Sequence, residues 1–278
     1  MTRIDAHQHF WKYNPEEYVW MTGRLKVLAR DYLPADLKPE MENTGFGGTV
    51  SVQARQMIEE TEFLLDLADT HPWILGVVGW LDFESEDFQE DLERLSARKK
   101  LKGLRELIHD MPDTEYALSL AHVQAIGALG KHGLTYDLLL RPDHIPSAIR
   151  LADMYPNQPF VVDHLAKPLI EAQVIEPWRK DLLELAQRGN INCKLSGMVT
   201  EANWEAWKPE DLQPYMDVVL EAFGPERIMI GSDWPVCTCA GNYRVVMNTT
   251  VDYVSRLSRD EQDQILGNTC GEFYGLYT

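Results

Sequence analysis

Hydrophobic and polar positions follow two alternating periods along this chain. Short apolar, β-branched runs fall at residues 1–9, 48–53, 74–81, 101–107, 134–140, 160–164, 191–195 and 227–232. Between them, apolar residues recur three and four apart at 59–70, 87–98, 116–132, 144–155, 178–188, 211–223 and 242–257. A short apolar run reads as a buried strand, and the wider spacing as an amphipathic helix. Regular strand-then-helix alternation means parallel strands joined by crossovers, and eight such units in 278 residues predict a (β/α)8 TIM barrel. An open doubly wound sheet would want a glycine-rich phosphate turn after the first strand, where His7-Gln8-His9-Phe10 stands instead. No linker or composition break marks a second domain, so the reading is a single α/β domain over residues 1–278. One stretch breaks the rhythm: a long loop at about residues 10–46, irregular over 16–39 and carrying Trp20, Arg24 and Tyr32, is expected to cover the end of the first strand. The tail, 258–278, reads as one more short helix with Phe273, Tyr274 and Leu276 packing back.

Composition narrows the partners. Hydrophobic residues make up 45% and charged residues 25%, as in ordinary globular proteins. The 26 Lys and Arg against 44 Asp and Glu give a net charge of −18, a field that repels nucleic acid and anionic membranes. No apolar run approaches the ~20 residues of a membrane span, and the first residues do not resemble a secretory signal. Cys193, Cys237, Cys239 and Cys270 show neither Cys-x-x-Cys nor zinc-finger spacing, which fits a reducing, cytoplasmic setting.

The candidate chemistry lies at the ends of the apolar runs, where barrel enzymes build their sites. The first strand ends in His7 and His9, on one face and roughly 7 Å apart. The following strand ends carry Gln53; Trp80; Arg105 and Glu106; Tyr136 and Asp137; Asp163 and His164; Lys194 and Ser196; and Ser232, Asp233 and Trp234. Arg105 suits a substrate oxygen or, equally, a structural partner such as Asp137. Gln53 and Tyr136 suit hydroxyl groups, and Trp234 a sugar face. Trp80 suits either a sugar face or a packed position, and Asp163 reads as a structural partner of its neighbours.

Four stretches also carry a family likeness. Ile4-Asp5-Ala6-His7-Gln8-His9-Phe10-Trp11, Asp163-His164-Leu165-Ala166-Lys167-Pro168, Lys194-Leu195-Ser196-Gly197 and Gly231-Ser232-Asp233-Trp234-Pro235 resemble the amidohydrolase superfamily. Within it they resemble the branch of sugar-lactone hydrolases close to the L-fuconolactonases and L-rhamnonolactonases. The resemblance implies a distorted (β/α)8 barrel and hydrolysis of a sugar lactone to the open aldonic acid. Many members of the superfamily bind one or two metals through the first-strand histidines, a Lys or Glu on the fourth strand, histidines on the fifth and sixth, and an Asp on the eighth. Here the fourth strand has Arg105-Glu106, where the branch would have a His after the Arg, and the fifth has no histidine. His7, His9, His164 and Asp233 remain, enough for one zinc. The lactonase branch includes enzymes that keep this set and need no metal, so no cofactor is expected to be required.

On this reading Asp233 is the general base toward water, and His7, His9 and His164 surround the carbonyl oxygen. Gln53, Trp80, Arg105, Tyr136 and Trp234 orient the substrate. The alternatives are a mononuclear zinc hydrolase or decarboxylase with His7, His9, His164 and Asp233 as ligands, and a barrel that binds sugar acids or lactones without turning them over. Aromatic residues in the first loop, read as exposed, leave room for a homodimer.

Overall fold

The computed structural model describes residues 2–277. Eight strands form one parallel sheet in chain order: β1 (Arg3–Gln8), β2 (Phe46–Val52), β3 (Ile74–Gly79), β4 (Leu101–Glu106), β5 (Thr135–Leu138), β6 (Phe160–Val162), β7 (Ile191–Leu195) and β8 (Ile228–Ile230). The sheet curls so that its last strand returns to its first. Asp233 donates its backbone N–H to His7 O at 2.8 Å, and His9 donates to Trp234 O at 2.7 Å. The eight crossover helices are α1 (Pro34–Thr44), α2 (Ile58–Thr70), α3 (Phe88–Ser96), α4 (Leu120–Leu129), α5 (Ile145–Met154), α6 (Trp178–Leu185), α7 (Pro209–Phe223) and α8 (Tyr243–Val254). The tail adds α9 (Arg259–Asp263) and α10 (Thr269–Phe273), joined by a π-helical turn.

The barrel interior is its own small apolar cluster. Ile4, Ala6, Val50, Val52, Val78, Val161 and Met229 fill it from the strands, and Cys270 and Tyr274 plug it from the tail. Ile4 and Ala6 point inward, so strict alternation would send His7 and His9 outward to the helices. A β-bulge prevents this. Asp5 pairs with Thr49 and Gln8 with Ser51, so β1 spends three steps where β2 spends two. The extra residue reverses the alternation and turns both histidines into the barrel.

The first loop is less irregular than its composition implies. Trp11 and Tyr32 exchange two backbone hydrogen bonds of 3.0 Å, and residues 34–44 form α1 with Pro34 at its start. Leu37 and Met41, four apart, bury its inner face. The loop's aromatics are mostly interior: Trp11 is 0% exposed, Tyr18 1% and Tyr32 3%. They pack the loop onto the barrel and do not form an exposed patch, which removes the basis of the dimer expectation. Glu60 anchors the arrangement. Its buried carboxylate accepts from Ala54 N and Arg55 N at 2.7 Å each and from the Tyr18 hydroxyl at 3.0 Å. No helix among the described residues is long and apolar enough to cross a membrane.

His122, on α4, packs edge-on against Phe83, Tyr116 and Tyr136 and has, among the described residues, no hydrogen-bond partner for either ring nitrogen. Burial pushes its pKa from 6.5 down to about 4. The unfolded chain therefore takes up a proton near pH 6.5 that the folded chain refuses until about pH 4. Stability is lost as pH falls through that window, by up to about 3 kcal/mol. Asp5, raised to about 6 by burial, works in the opposite direction. A His122→Phe variant cancels that contribution, because it shares Asp5 with the native chain. The stability difference between variant and native protein, from urea denaturation, is expected to move by roughly 2–3 kcal/mol in favour of Phe between pH 7 and pH 4.5. A pH-independent difference would show that His122 takes up its proton in the folded state.

Candidate active site

The strand ends surround one cavity of about 160 Å³ at the C-terminal mouth of the barrel. A cavity of about 150 Å³ encloses a benzene-sized group, so this space takes the reacting end of a small molecule. Its polar side is made by His9, Arg105, His109, His164, Lys167 and Asp233, with Asp110 at the edge. Trp20, reaching in from the first loop, forms the apolar side with Ala54, Leu107, Leu139 and Val236.

Two unusual backbone segments deliver the central side chains. Residues 164–167 have four consecutive positive φ angles, from 50° to 58°, and Asp233 has φ 56°. For residues with a Cβ each such angle costs of order 1 kcal/mol or more, and such strain concentrates at functional sites. The turn is held by Lys167 N donating to His164 O at 2.7 Å and by the Trp178 indole donating to Leu165 O at 2.6 Å. It swings His164 and Lys167 to the cavity. Gly197 makes room for it: a Cβ there would stand 2.5 Å from His164 Nδ1.

The hydrogen-bond partners assign the protons. His9 Nδ1 donates to Val52 O at 2.8 Å, and its Nε2 lies 3.2 Å from Asp233 Oδ1. Both nitrogens face acceptors, so the His9–Asp233 contact holds a proton. His164 Nδ1 is 2.8 Å from Ser196 Oγ, and its Nε2 is 3.8 Å from Asp233 Oδ1. With the serine hydroxyl donating to Nδ1, Nε2 carries the hydrogen; with the hydroxyl accepting, Nε2 offers a lone pair. In His7, Nδ1 lies 3.2 Å from Lys194 Nζ and 3.3 Å from Asp163 Oδ1, while Arg105 Nη1 is 3.3 Å from Nε2; both cations can only donate, so Asp163 is the nearest acceptor and the hydrogen belongs on Nδ1. The Nε2 lone pair of His7 is thus taken by Arg105, which gives His7 a different part from the N–H donor to substrate expected of it.

Burial holds both His7 and His164 well below the usual histidine range, so they are neutral. Burial opposes the charge of Asp233, but His164 and the bond from His9 outweigh it and keep its carboxyl below 3.8. Asp233 is therefore ionised at neutral pH and has acceptor capacity to spare.

Beneath these groups lies a dry ionic layer. Lys194, 0% exposed, reaches Asp137 Oδ2 at 2.5 Å and Asp163 Oδ1 at 2.9 Å. The Tyr274 hydroxyl donates to Asp137 at 2.9 Å. Arg105 reaches Asp163 Oδ2 at 2.9 Å. Burial opposes the charge of Asp163 as well, yet Lys194, His7 and Arg105 hold its carboxyl well below the ordinary range.

Of the residues expected to touch substrate, Arg105 is on the cavity wall and four are not. Gln53 clamps Arg105: its Oε1 accepts from Nη2 at 3.2 Å and its Nε2 donates to Arg105 O at 3.3 Å. The Trp80 indole donates to Glu106 at 3.1 Å, and Gln56 bonds the same carboxylate. Glu106 is thereby turned away from the histidines. Tyr136 is 0% exposed in the aromatic cluster of Phe83 and His122. Trp234 stands edge-on to Tyr32 at 5.2 Å under the first loop. The ionic partner of Arg105 is Asp163, because Lys194 has taken Asp137. Lys167, inside a quoted motif, and Trp20, on the loop, prove to line the cavity. His109, absent from the expected set, also lines the cavity, and the polar pair His109-Asp110 directly after a strand end is its signal in the sequence.

Three groups could hold a metal ion. One ligand atom each from His7, His164 and Asp233 lies within 4.8 Å of the others. Two imidazoles and a carboxylate suit zinc, with a fourth position open. His9 does not join this cluster.

A (β/α)8 barrel with paired histidines on its first strand, a histidine after the sixth and an aspartate after the eighth is the amidohydrolase arrangement. The chain belongs to the amidohydrolase family, whose sequence profile matches residues 4–276. Among curated relatives, an L-fucono-1,5-lactonase of Burkholderia ambifaria is 37% identical over 269 residues, spanning 95% of this chain and 89% of its own. A second L-fucono-1,5-lactonase, of Burkholderia multivorans, is 36% identical over 99% of this chain and 96% of its own. A crystal structure of an amidohydrolase from Burkholderia multivorans with bound zinc superposes with a TM-score of 0.94 at 35% identity, covering 99% of each chain.

Proposed function

We propose that this chain hydrolyses a sugar lactone to the open hydroxy acid, with Asp233 as general base and no required metal. The observation that carries the reading is the Asp233 carboxylate, ionised and bonded to His9 at 3.2 Å, at the wall of the cavity at the barrel mouth. The relatives named L-fucono-1,5-lactonase support a lactone of that class.

Water, positioned by Asp233, attacks the lactone carbonyl carbon while Asp233 accepts its proton. The carbonyl oxygen becomes an oxyanion, received by the Nε2–H of His164 and by the Arg105 guanidinium at the cavity wall. Collapse breaks the bond between carbonyl carbon and ring oxygen, and protonated Asp233 returns its proton to that oxygen. Lys167, bonded to Glu201 at 2.7 Å, and Trp20 orient the hydroxyl-bearing carbons. A metal held by His7, His164 and Asp233 would polarise a carbonyl oxygen; the steps above are those of the chain's own groups.

The test is a panel of aldonolactones, assayed by acid release with a pH indicator, with and without a chelator. Turnover of deoxyhexonolactones that survives the chelator is expected. Loss of activity to the chelator with recovery on adding zinc would transfer the reaction to the metal, and binding without turnover would make the barrel a sugar-acid receptor.

A further inference from the structure

We propose that Arg105 is the built-in cation of this centre: its guanidinium takes the His7 lone pair that a divalent metal needs, and its removal turns His7, His164 and Asp233 into a tight zinc site. The argument begins with His7. Its Nδ1 is enclosed by the Asp163 carboxylate at 3.3 Å and the Lys194 ammonium at 3.2 Å, which leaves Nε2 as its coordinating atom. Zinc binds an imidazole lone pair at about 2.0–2.1 Å. That lone pair already receives a hydrogen bond from Arg105 Nη1 at 3.3 Å.

The guanidinium is not free to leave. Nη1 is bound to Asp163 Oδ2 at 2.9 Å, and Nη2 to Gln53 O at 2.5 Å and Gln53 Oε1 at 3.2 Å. It does not lose its proton in proteins and offers no lone pair of its own, so it can neither yield its charge nor become a ligand.

The charges close in the same sense. Arg105 and Lys194 offset Asp163 and Asp137, leaving Asp233 as the carboxylate that faces the histidines. A zinc ion would add two positive charges beside a fixed cation in a site from which water is largely excluded. Without the guanidinium, the ion meets a site that has lost one positive charge and regained a lone pair. The same placement explains why the fourth-strand position can carry an arginine while the other metal-binding groups persist: the cation is covalently part of the chain.

The test measures zinc affinity by competition with a chromophoric chelator, on metal-stripped full-length protein. Arg105→Met and Arg105→Gln are expected to bind one zinc at least tenfold more tightly than the native chain, and adding His7→Ala is expected to abolish that gain. Equal affinities, or a gain that survives His7→Ala, would overturn the proposal. Should neither Arg105 variant fold, nitrogen NMR of the native protein decides. His7 is expected as the Nδ1–H tautomer, its Nε2 resonance unmoved by stoichiometric zinc. A protonated Nε2, or an immediate shift with zinc, would sink the idea. The readouts are affinity and tautomer, so their failure leaves the lactonase reading to its own assay.

Discussion

Replacing Asp233 with Asn is expected to lower kcat by about 10³-fold, within the ~10²–10⁴ that a positioned base contributes, while KM changes only a few-fold. The substitution is nearly isosteric. The amide oxygen of Asn can still accept from His9 Nε2, now 3.2 Å from the carboxylate, and the strained backbone at φ 56° is one that Asn tolerates well. What disappears is an ionised group able to take a proton from water. A loss confined to kcat is therefore the signature of a base. A rise in KM at constant kcat would instead describe a group that holds ground state and transition state equally. The measurement is steady-state hydrolysis of the best lactone from the panel, with folding of the variant checked by its urea midpoint. Retention of kcat within tenfold would remove Asp233 from the base role, and His9, its hydrogen-bond partner, would be next to examine.

The barrel was legible because eight buried runs and the helices between them impose different periods, and a parallel closed sheet satisfies both. Strand lengths were overestimated where the chain leaves the sheet to build the site. The sixth run reads to residue 164 but pairs only to Val162, since Asp163 to Ala166 turn away. Helix α1 reads as irregular in the sequence because it carries Pro34 and Pro39 and few apolar residues. Pro34 is at its first position, where a missing N–H costs nothing. The two histidines were correctly placed on one face, although for a reason that period-two reading does not contain: a bulge of one residue reverses the alternation just before His7. Partners across the barrel were the hardest to read. Arg105 and Asp137 are neighbours in register on β4 and β5, yet their side chains pair with Asp163 and Lys194. Sequence spacing describes neighbours along and between strands, whereas these pairs in the interior of a closed barrel join strands two positions apart.

That interior carries the second large effect. Lys194→Met is expected to destabilise the fold by about 3–5 kcal/mol, the usual cost of removing one partner from a buried ionic group. The ammonium is fully buried and lies 2.5 Å from Asp137 and 2.9 Å from Asp163. Burial works against its charge, but the two carboxylates outweigh burial and raise its pKa above 10.5, so it is charged in the folded state. Methionine fills much of the same volume, so the loss reflects charge, not a cavity. The consequences for the two partners differ. Asp163 keeps Arg105 and His7, while Asp137 keeps, among the described residues, only the Tyr274 hydroxyl. The penalty should therefore fall mainly on Asp137, and a Lys194→Met/Asp137→Asn double variant is expected to recover at least 2 kcal/mol of the loss, because an opposed pair removed together leaves no unpaired charge. Urea denaturation of the two single variants, the double variant and the native chain gives the coupling directly. Additive losses would mean that Asp137 is already neutral beside Lys194. Recovery would establish that the layer beneath His7 is held by paired charge, the same pairing that fixes Asp163 against His7 Nδ1 and so leaves His7 Nε2 to Arg105.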